Sequence, residues 1–213
     1  MKCPLLHLQT LSGVGPVTYW FSLFICDLAL YSIASVLQII ILLILDYPLL
    51  VSGFSIGPYI LLLLCFAVGF LPQVYLLSTV IDKPATGLGY LFIFGFFIVL
   101  VCPMFVMIFD LLGSKIAKTL EIVFCILFSP YNLVAGVIDI EKNYNNWEYC
   151  KAADVEFLCG KNCTGFICKP VAKNPISFDG HGILDHILAL LAQGAVFSIL
   201  LYIKDRGVCK WAR

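Results

Sequence analysis

The chain has 213 residues, 62% of them hydrophobic and 12% charged, and its 13 basic and 13 acidic side chains give a formal net charge of zero. A soluble domain of this length is nearer half apolar and a quarter charged, and a mean hydropathy of +1.02 leaves too little polar sequence to cover an apolar interior. The composition excludes a water-soluble globular fold, and the lack of a basic run excludes nucleic acid as a partner.

Residues 1–16 carry no charged segment leading into a short apolar run, so no cleavable signal peptide is expected and the stretch reads as cytoplasmic. An apolar stretch follows at 17–45, longer than the roughly 20 helical residues that cross a bilayer. Asp27 lies inside it. A carboxylate at bilayer centre costs about 2.5–3.5 kcal/mol, so such residues face a protein interior or a water-filled cavity. Two readings stay open: a packing or gating role, or a position just below an interface marked by Tyr19 and Trp20.

A loop containing Asp46, Pro48, Gly53 and Gly57 leads to a second apolar stretch at 58–81, and Asp82, Lys83 and Pro84 turn the chain into a third at 88–109. The segment 113–140 is ambiguous. Gly113 and Ser114 suggest a helix start, an apolar arm runs to Phe128, and Ser129, Pro130 and Asn132 break it before a second arm. Each arm is too short to cross alone, so the segment is either a re-entrant hairpin or one Pro-kinked span. Glu121 fits an interface better than the bilayer centre. Residues 141–182 read as an extracellular loop, 183–203 as the last span and 204–213 as a cytoplasmic tail carrying Lys204, Arg206, Lys210 and Arg213.

The outer loop holds the sequon Asn162-Cys163-Thr164, a glycosylation acceptor on an extracellular or lumenal face. Cys150, Cys159, Cys163 and Cys168 surround it, and two disulfides with three possible pairings are the natural reading. Zinc is disfavoured, because oxidised extracellular cysteines rarely hold it; the six other cysteines read as small buried hydrophobes. No phosphate loop, H-E-x-x-H or G-x-S-x-G pattern occurs, so no catalytic, cofactor-binding or metal-binding residue is assigned and the chain is not expected to be an enzyme by itself. His181 and Asp185 are four residues apart, but Asp179 to Asp185 read first as the polar turn that opens the last span. Gln38, Gln73 and Gln193 read as interhelical hydrogen bonders.

The stretch His7-Leu8-Gln9-Thr10-Leu11-Ser12-Gly13-Val14, followed by Pro16, Tyr19-Trp20, Ser22 and Asp27, resembles the A subfamily of ATP-binding cassette (ABC) transporters. Further matches lie at Pro84 to Tyr90, at Phe128-Ser129-Pro130 through Gly136-Val137-Ile138-Asp139, and at Phe178-Asp179, Gln193-Gly194 and Val196-Phe197. The resemblance covers essentially the whole chain. It implies the later part of one ABC-2 type transmembrane domain, an all-α fragment with four transmembrane helices and an outer re-entrant hairpin at 113–140 turning at Ser129, Pro130 and Asn132. It also implies ATP-driven lipid export or flipping. Gly13, Val14, Tyr19 and Trp20 would then meet a nucleotide-binding domain, which with a second transmembrane domain would act in cis or in trans. ATP and Mg would be held by that domain, membrane lipids would be the other partners, and the location would be the plasma or an endolysosomal membrane.

The sequence departs from the family pattern at Leu23 to Cys26, where no tryptophan accompanies Asp27, and its cysteine-rich loop is long. A non-transporting tetraspan scaffold is the alternative. Its characteristic Cys-Cys-Gly is not met here, where Leu158 precedes Cys159-Gly160.

Overall fold

A computed structural model of the chain describes residues 15–45, 47, 55–81, 84–113, 116–152, 176 and 182–211. Six helices order these residues: α1 (Pro16–Ile44), α2 (Ile56–Ser78), α3 (Pro84–Leu111), α4 (Ile116–Leu127), α5 (Ser129–Ala152) and α6 (Leu184–Trp211). No strand occurs among the described residues. Four helices are long and apolar enough to cross a membrane, over Val17–Ile44, Ile56–Ser78, Ala85–Leu111 and Leu184–Lys204. In lipid a helix satisfies its own backbone, which is why nearly uninterrupted apolar sequence folds this way.

Local signals set the helix ends. Pro16 opens α1 behind Gly15, where its fixed φ suits a helix start and its missing N–H costs nothing. Within α1, Ser32 donates to Leu28 O at 2.7 Å and Ser35 to Tyr31 O at 2.9 Å, so neither hydroxyl faces lipid unsatisfied. Gly113 does not start a helix as the sequence suggested. At φ +65° it closes α3, and its N–H reaches Asp110 O at 2.9 Å. Helix α5 runs past Ile140 to Ala152, so the first twelve residues of the segment read as outer loop are helical.

Contacts between helices fix their relative directions. Tyr59 and Leu62 of α2 lie with Ile183 and Ile187 beside α6, Gly69 lies against Leu190, and Thr79 meets Lys204. Numbers rise together along both helices, so α2 and α6 are parallel. Tyr75 meets Asp27 while Phe66 meets Tyr31, so α1 is antiparallel to α2. Two apolar clusters hold the assembly. One joins Tyr59, Leu62, Leu63 and Cys65 of α2 to Ile140 of α5 and to Ile187 and Leu190 of α6. The other joins Ile98 and Cys102 of α3 to Tyr131 and Ala135 of α5.

Helices α2 and α6 cross closely, backbone against backbone. Pro72 lies inside α2 and has no N–H for the carbonyl four residues back, that of Val68. A Cβ on Gly194 would sit 2.6 Å from Val68 O, and one on Gly69 would sit 2.8 Å from Leu190 O. Each glycine therefore turns an α-hydrogen toward a carbonyl of the other helix, a weak C–H···O contact that only a residue without a side chain permits. The outward faces stay apolar: Phe92, Phe94, Phe96 and Phe97 of α3 are all exposed, as a lipid-facing helix requires. Cys65 and Cys102 are buried as the sequence suggested, but Cys26 is exposed on α1.

Gly194→Ala should lower the thermal midpoint of the chain in lipid nanodiscs, reflecting about 1–3 kcal/mol of overpacking. Gly95→Ala meets nothing within 4 Å and should leave the midpoint unchanged or raise it. Equal midpoints for the two variants would dismiss the close crossing.

Candidate functional site

Two polar constellations stand out in this apolar frame, one at each end of the parallel pair α2 and α6. The first gathers around the start of α1. Trp20 lies edge-on to Tyr19 with ring centroids 5.2 Å apart, and its own ring rests 5.5 Å from that of Tyr75. The Tyr75 hydroxyl donates to Asp27 Oδ2 at 2.5 Å, a short charge-assisted bond across 48 residues of sequence. The Asp27 carboxylate is half-buried and its bond to Tyr75 ties α1 to α2. At the same end Lys204 Nζ donates to Thr79 Oγ1 at 2.6 Å, joining the C-terminal end of α2 to the C-terminal half of α6. Gly13 and Val14, singled out with Tyr19 and Trp20, lie outside the described residues.

The second constellation forms where α4 meets α5. The break falls at Phe128, and Ser129 and Pro130 belong to the first turn of α5. Pro130 offers no N–H to Ile126 O, and that carbonyl takes its bond from Gln193 Nε2 at 2.9 Å. The same nitrogen donates to Cys125 O at 2.8 Å, and Asn132 Nδ2 donates there too at 2.7 Å. With its amide nitrogen so committed, Gln193 presents Oε1 to the Ser129 hydroxyl at 2.9 Å and to Asn132 Nδ2 at 3.4 Å. Asn132 Oδ1 faces His186 Nδ1 at 3.3 Å, and His186 Nε2 lies 3.1 Å from Asp139 Oδ2. Ser129, Asn132, His186 and Gln193 are at most 6% exposed. Ser129 lies against Gln193 and Asp139 against His186, so α5 runs antiparallel to α6.

Glu121 on α4 stands near this network. Burial, reinforced by the nearby Asp139 charge, raises its carboxyl above the usual carboxylate range.

Ser129, Pro130 and Asn132 thus come together at one break, and Tyr19, Trp20 and Asp27 at one helix start. Cys150 falls in the last turn of α5, while Asn162, Cys159, Cys163 and Cys168 lie outside the described residues. Among the described residues no group of three or more metal-ligating side chains gathers. Sequence reasoning did not find the partners: Tyr75 for Asp27, and Asp139 for His186. His181, weighed with Asp185, lies outside the described residues, and the signal available for Asp139 was a carboxylate in an otherwise apolar helical arm.

Comparison with known proteins places the whole frame. The ABC-2 family transporter protein pattern matches residues 2–203. The human phospholipid-transporting ATPase ABCA3 is 25% identical over 211 residues, covering 97% of this chain and 12% of the relative. The rat ATP-binding cassette sub-family A member 2 is 26% identical over 194 residues, 88% of this chain and 8% of the relative. Mouse sub-family A member 7 is 25% identical over 199 residues, 91% and 8% respectively. The chain therefore spans about a tenth of the length of these curated relatives.

Gln193→Leu should destabilise the chain by about 1–3 kcal/mol, since it leaves two part-buried carbonyls and the buried Ser129 hydroxyl short of partners. Tyr75→Phe should cost about 1–3 kcal/mol through the half-buried carboxylate it abandons. Thermal unfolding in nanodiscs checks both, and a change within measurement error would mean that water or lipid headgroups satisfy these atoms.

Proposed function

The chain belongs to the ABC-2 family of transporter proteins, and from that premise we propose that it serves as membrane-domain sequence of an ATP-driven lipid exporter or flippase. The observation that carries the proposal is the alignment of 97% of the chain to a phospholipid-transporting ATPase. On this reading ATP and Mg are bound by a nucleotide-binding domain, acting with a second transmembrane domain in cis or in trans. This chain's residues receive the motion and reshape the lipid path; none of them does chemistry on ATP.

Two geometric features support a working cycle. Trp20 and Tyr19 sit at the start of α1, where a nucleotide-binding domain would press, and the Trp20–Tyr75–Asp27 contact passes displacement into α2. The glycine crossing then links α2 to α6 at mid-height, and α6 carries the α4–α5 unit on Gln193 and His186. The re-entrant reading of α4 and α5 is supported by direction. The few residues between α2 and α3 make those helices antiparallel, and α6 is parallel to α2. The end of α3 and the start of α6 therefore share a face, and the connecting pair needs no crossing. On this topology the cysteine-rich segment with Asn162 faces the extracellular or lumenal side, where glycosylation and disulfides belong.

The test is reconstitution of the chain, with a sub-family A nucleotide-binding domain and second transmembrane domain, into liposomes carrying fluorescent phosphatidylcholine. ATP-dependent movement of label between leaflets is expected; none, in assemblies that still hydrolyse ATP, would leave the tetraspan-scaffold reading. In the same assembly Trp20→Ala should reduce lipid movement per ATP hydrolysed by about ten-fold, the scale of about 1.4 kcal/mol of lost coupling. An unchanged ratio would remove Trp20 from the coupling path.

A further inference from the structure

The network at the α4–α5 break has a fixed hydrogen-bond polarity, and that polarity decides the state of His186. It begins at the Cys125 and Ile126 carbonyls, which can only accept. They set the Gln193 amide with its nitrogen toward them and its oxygen toward Ser129 and Asn132. Asn132 in turn donates from Nδ2 to Cys125 O, which leaves Oδ1 facing the imidazole. Each ring nitrogen of His186 therefore faces an acceptor, Asn132 Oδ1 at 3.3 Å and Asp139 Oδ2 at 3.1 Å, and Nδ1 has the Cys125 thiol at 3.6 Å as its alternative partner. A neutral imidazole carries one N–H and satisfies one of the two acceptors; the imidazolium carries two and satisfies both.

We propose that His186 is a proton-binding site, its cation latching the α4–α5 unit onto the last span through Asn132 and Asp139. The latch is independent of what the assembly transports. Binding of the proton adds one N–H donor at a site where two acceptors already converge, and it places a positive charge against the Asp139 carboxylate. Loss of the proton leaves one ring nitrogen with a lone pair. Cys125 Sγ, 3.6 Å from His186 Nδ1, supplies the thiol hydrogen that this lone pair accepts, so the neutral ring turns from Asn132 to Cys125. Imidazole is the side chain that ordinarily exchanges a proton between about pH 5 and 8, the range separating neutral and acidified compartments.

Other charged and titratable groups face the same site. From α4 come Glu121 and Cys125, from α5 Tyr131, Asp139 and Lys142, and from α3 Asp110 at its end. Asp185 precedes His186 on α6. Helix α2, packed alongside, carries no charged residue.

Hydrogen–deuterium exchange of the 213-residue chain in lipid nanodiscs tests the proposal, with rates corrected for the intrinsic effect of pH. Backbone amides of residues 129–140 should lose about ten-fold or more in protection between about pH 5.5 and 8, the scale of one charge-assisted hydrogen bond. Amides of α2 should not change. In His186→Gln and in Asp139→Asn the pH dependence should vanish, and in Glu121→Gln it should remain. Flat protection in the unmodified chain, pH dependence that survives His186→Gln, or its disappearance in Glu121→Gln would each overturn the latch. Should either latch variant fail to fold, a chain with His7→Gln and His181→Gln retains His186 as its single imidazole. Its ring 15N spectrum should show two protonated nitrogens at the acid end and one at the alkaline end. A ring that stays neutral at about pH 5.5 sinks the proposal.

Discussion

A helix carbonyl left without its N–H partner, inside a helix at a proline or at a helix end, cannot be satisfied by lipid, and the packing around α6 follows from where two such carbonyls go. Pro72 frees Val68 O in α2, and Pro130 frees Ile126 O at the end of α4. Adjacent residues of α6 meet both. Gly194 turns an α-hydrogen toward Val68 O, and Gln193 donates its amide to Ile126 O and Cys125 O. One dipeptide thus fixes the crossing of α2 with α6 and the docking of α4 and α5 on the opposite side of the same turn. Neither neighbour can slide along α6 without exposing a carbonyl.

This makes α6 the reference axis of the assembly. The apolar clusters add area but little direction, since Leu, Ile and Phe surfaces in lipid lose no more by facing acyl chains than by facing each other. Direction comes from the polar contacts: Thr79 with Lys204 at one end, Ser129, Asn132, Asp139 and His186 toward the other. Helix α1 is held differently. None of its span is buried, and its specific ties to α2 are the Asp27–Tyr75 bond and rings from Trp20 and Tyr31. It is the element whose position costs least to change, which suits a helix that receives force rather than one that defines the frame.

Much of this was legible in the sequence because lipid imposes length and composition directly. The four apolar helices and an interruption of the 113–140 segment close to Ser129 follow from counting apolar residues and noting the exceptions; the structure sets that interruption one residue earlier, at Phe128. The resemblance also singled out Gln193-Gly194, though not why the two residues act together. What remained hidden depends on which helix faces which. Tyr75 sits among apolar neighbours in α2 and reads as an interfacial aromatic until α1 is placed beside it. Asp139 lies 47 residues from His186, and no local spacing rule connects them. Gly113 was read as a start because Gly-Ser punctuates helices at either end; its left-handed φ, which decides the matter, is a property of the fold.

The parallel course of α2 and α6 has a mechanical consequence. Two parallel rods joined at mid-height by a backbone crossing cannot separate there, so displacement at one end becomes a change of angle and appears at the other end with opposite sign. The Thr79–Lys204 contact resists that rotation at the end bearing Trp20 and Tyr75. The His186–Asp139 contact resists it at the end bearing α5. Any change of the α2–α6 angle must work against both contacts. On the proposed latch, loss of the proton removes the Nδ1 bond to Asn132 and the positive charge facing Asp139, while a neutral ring still donates from Nε2 to Asp139. The end of the frame that carries α5 is then stiffest when the ring is charged, which places control of the lever where α5 meets α6.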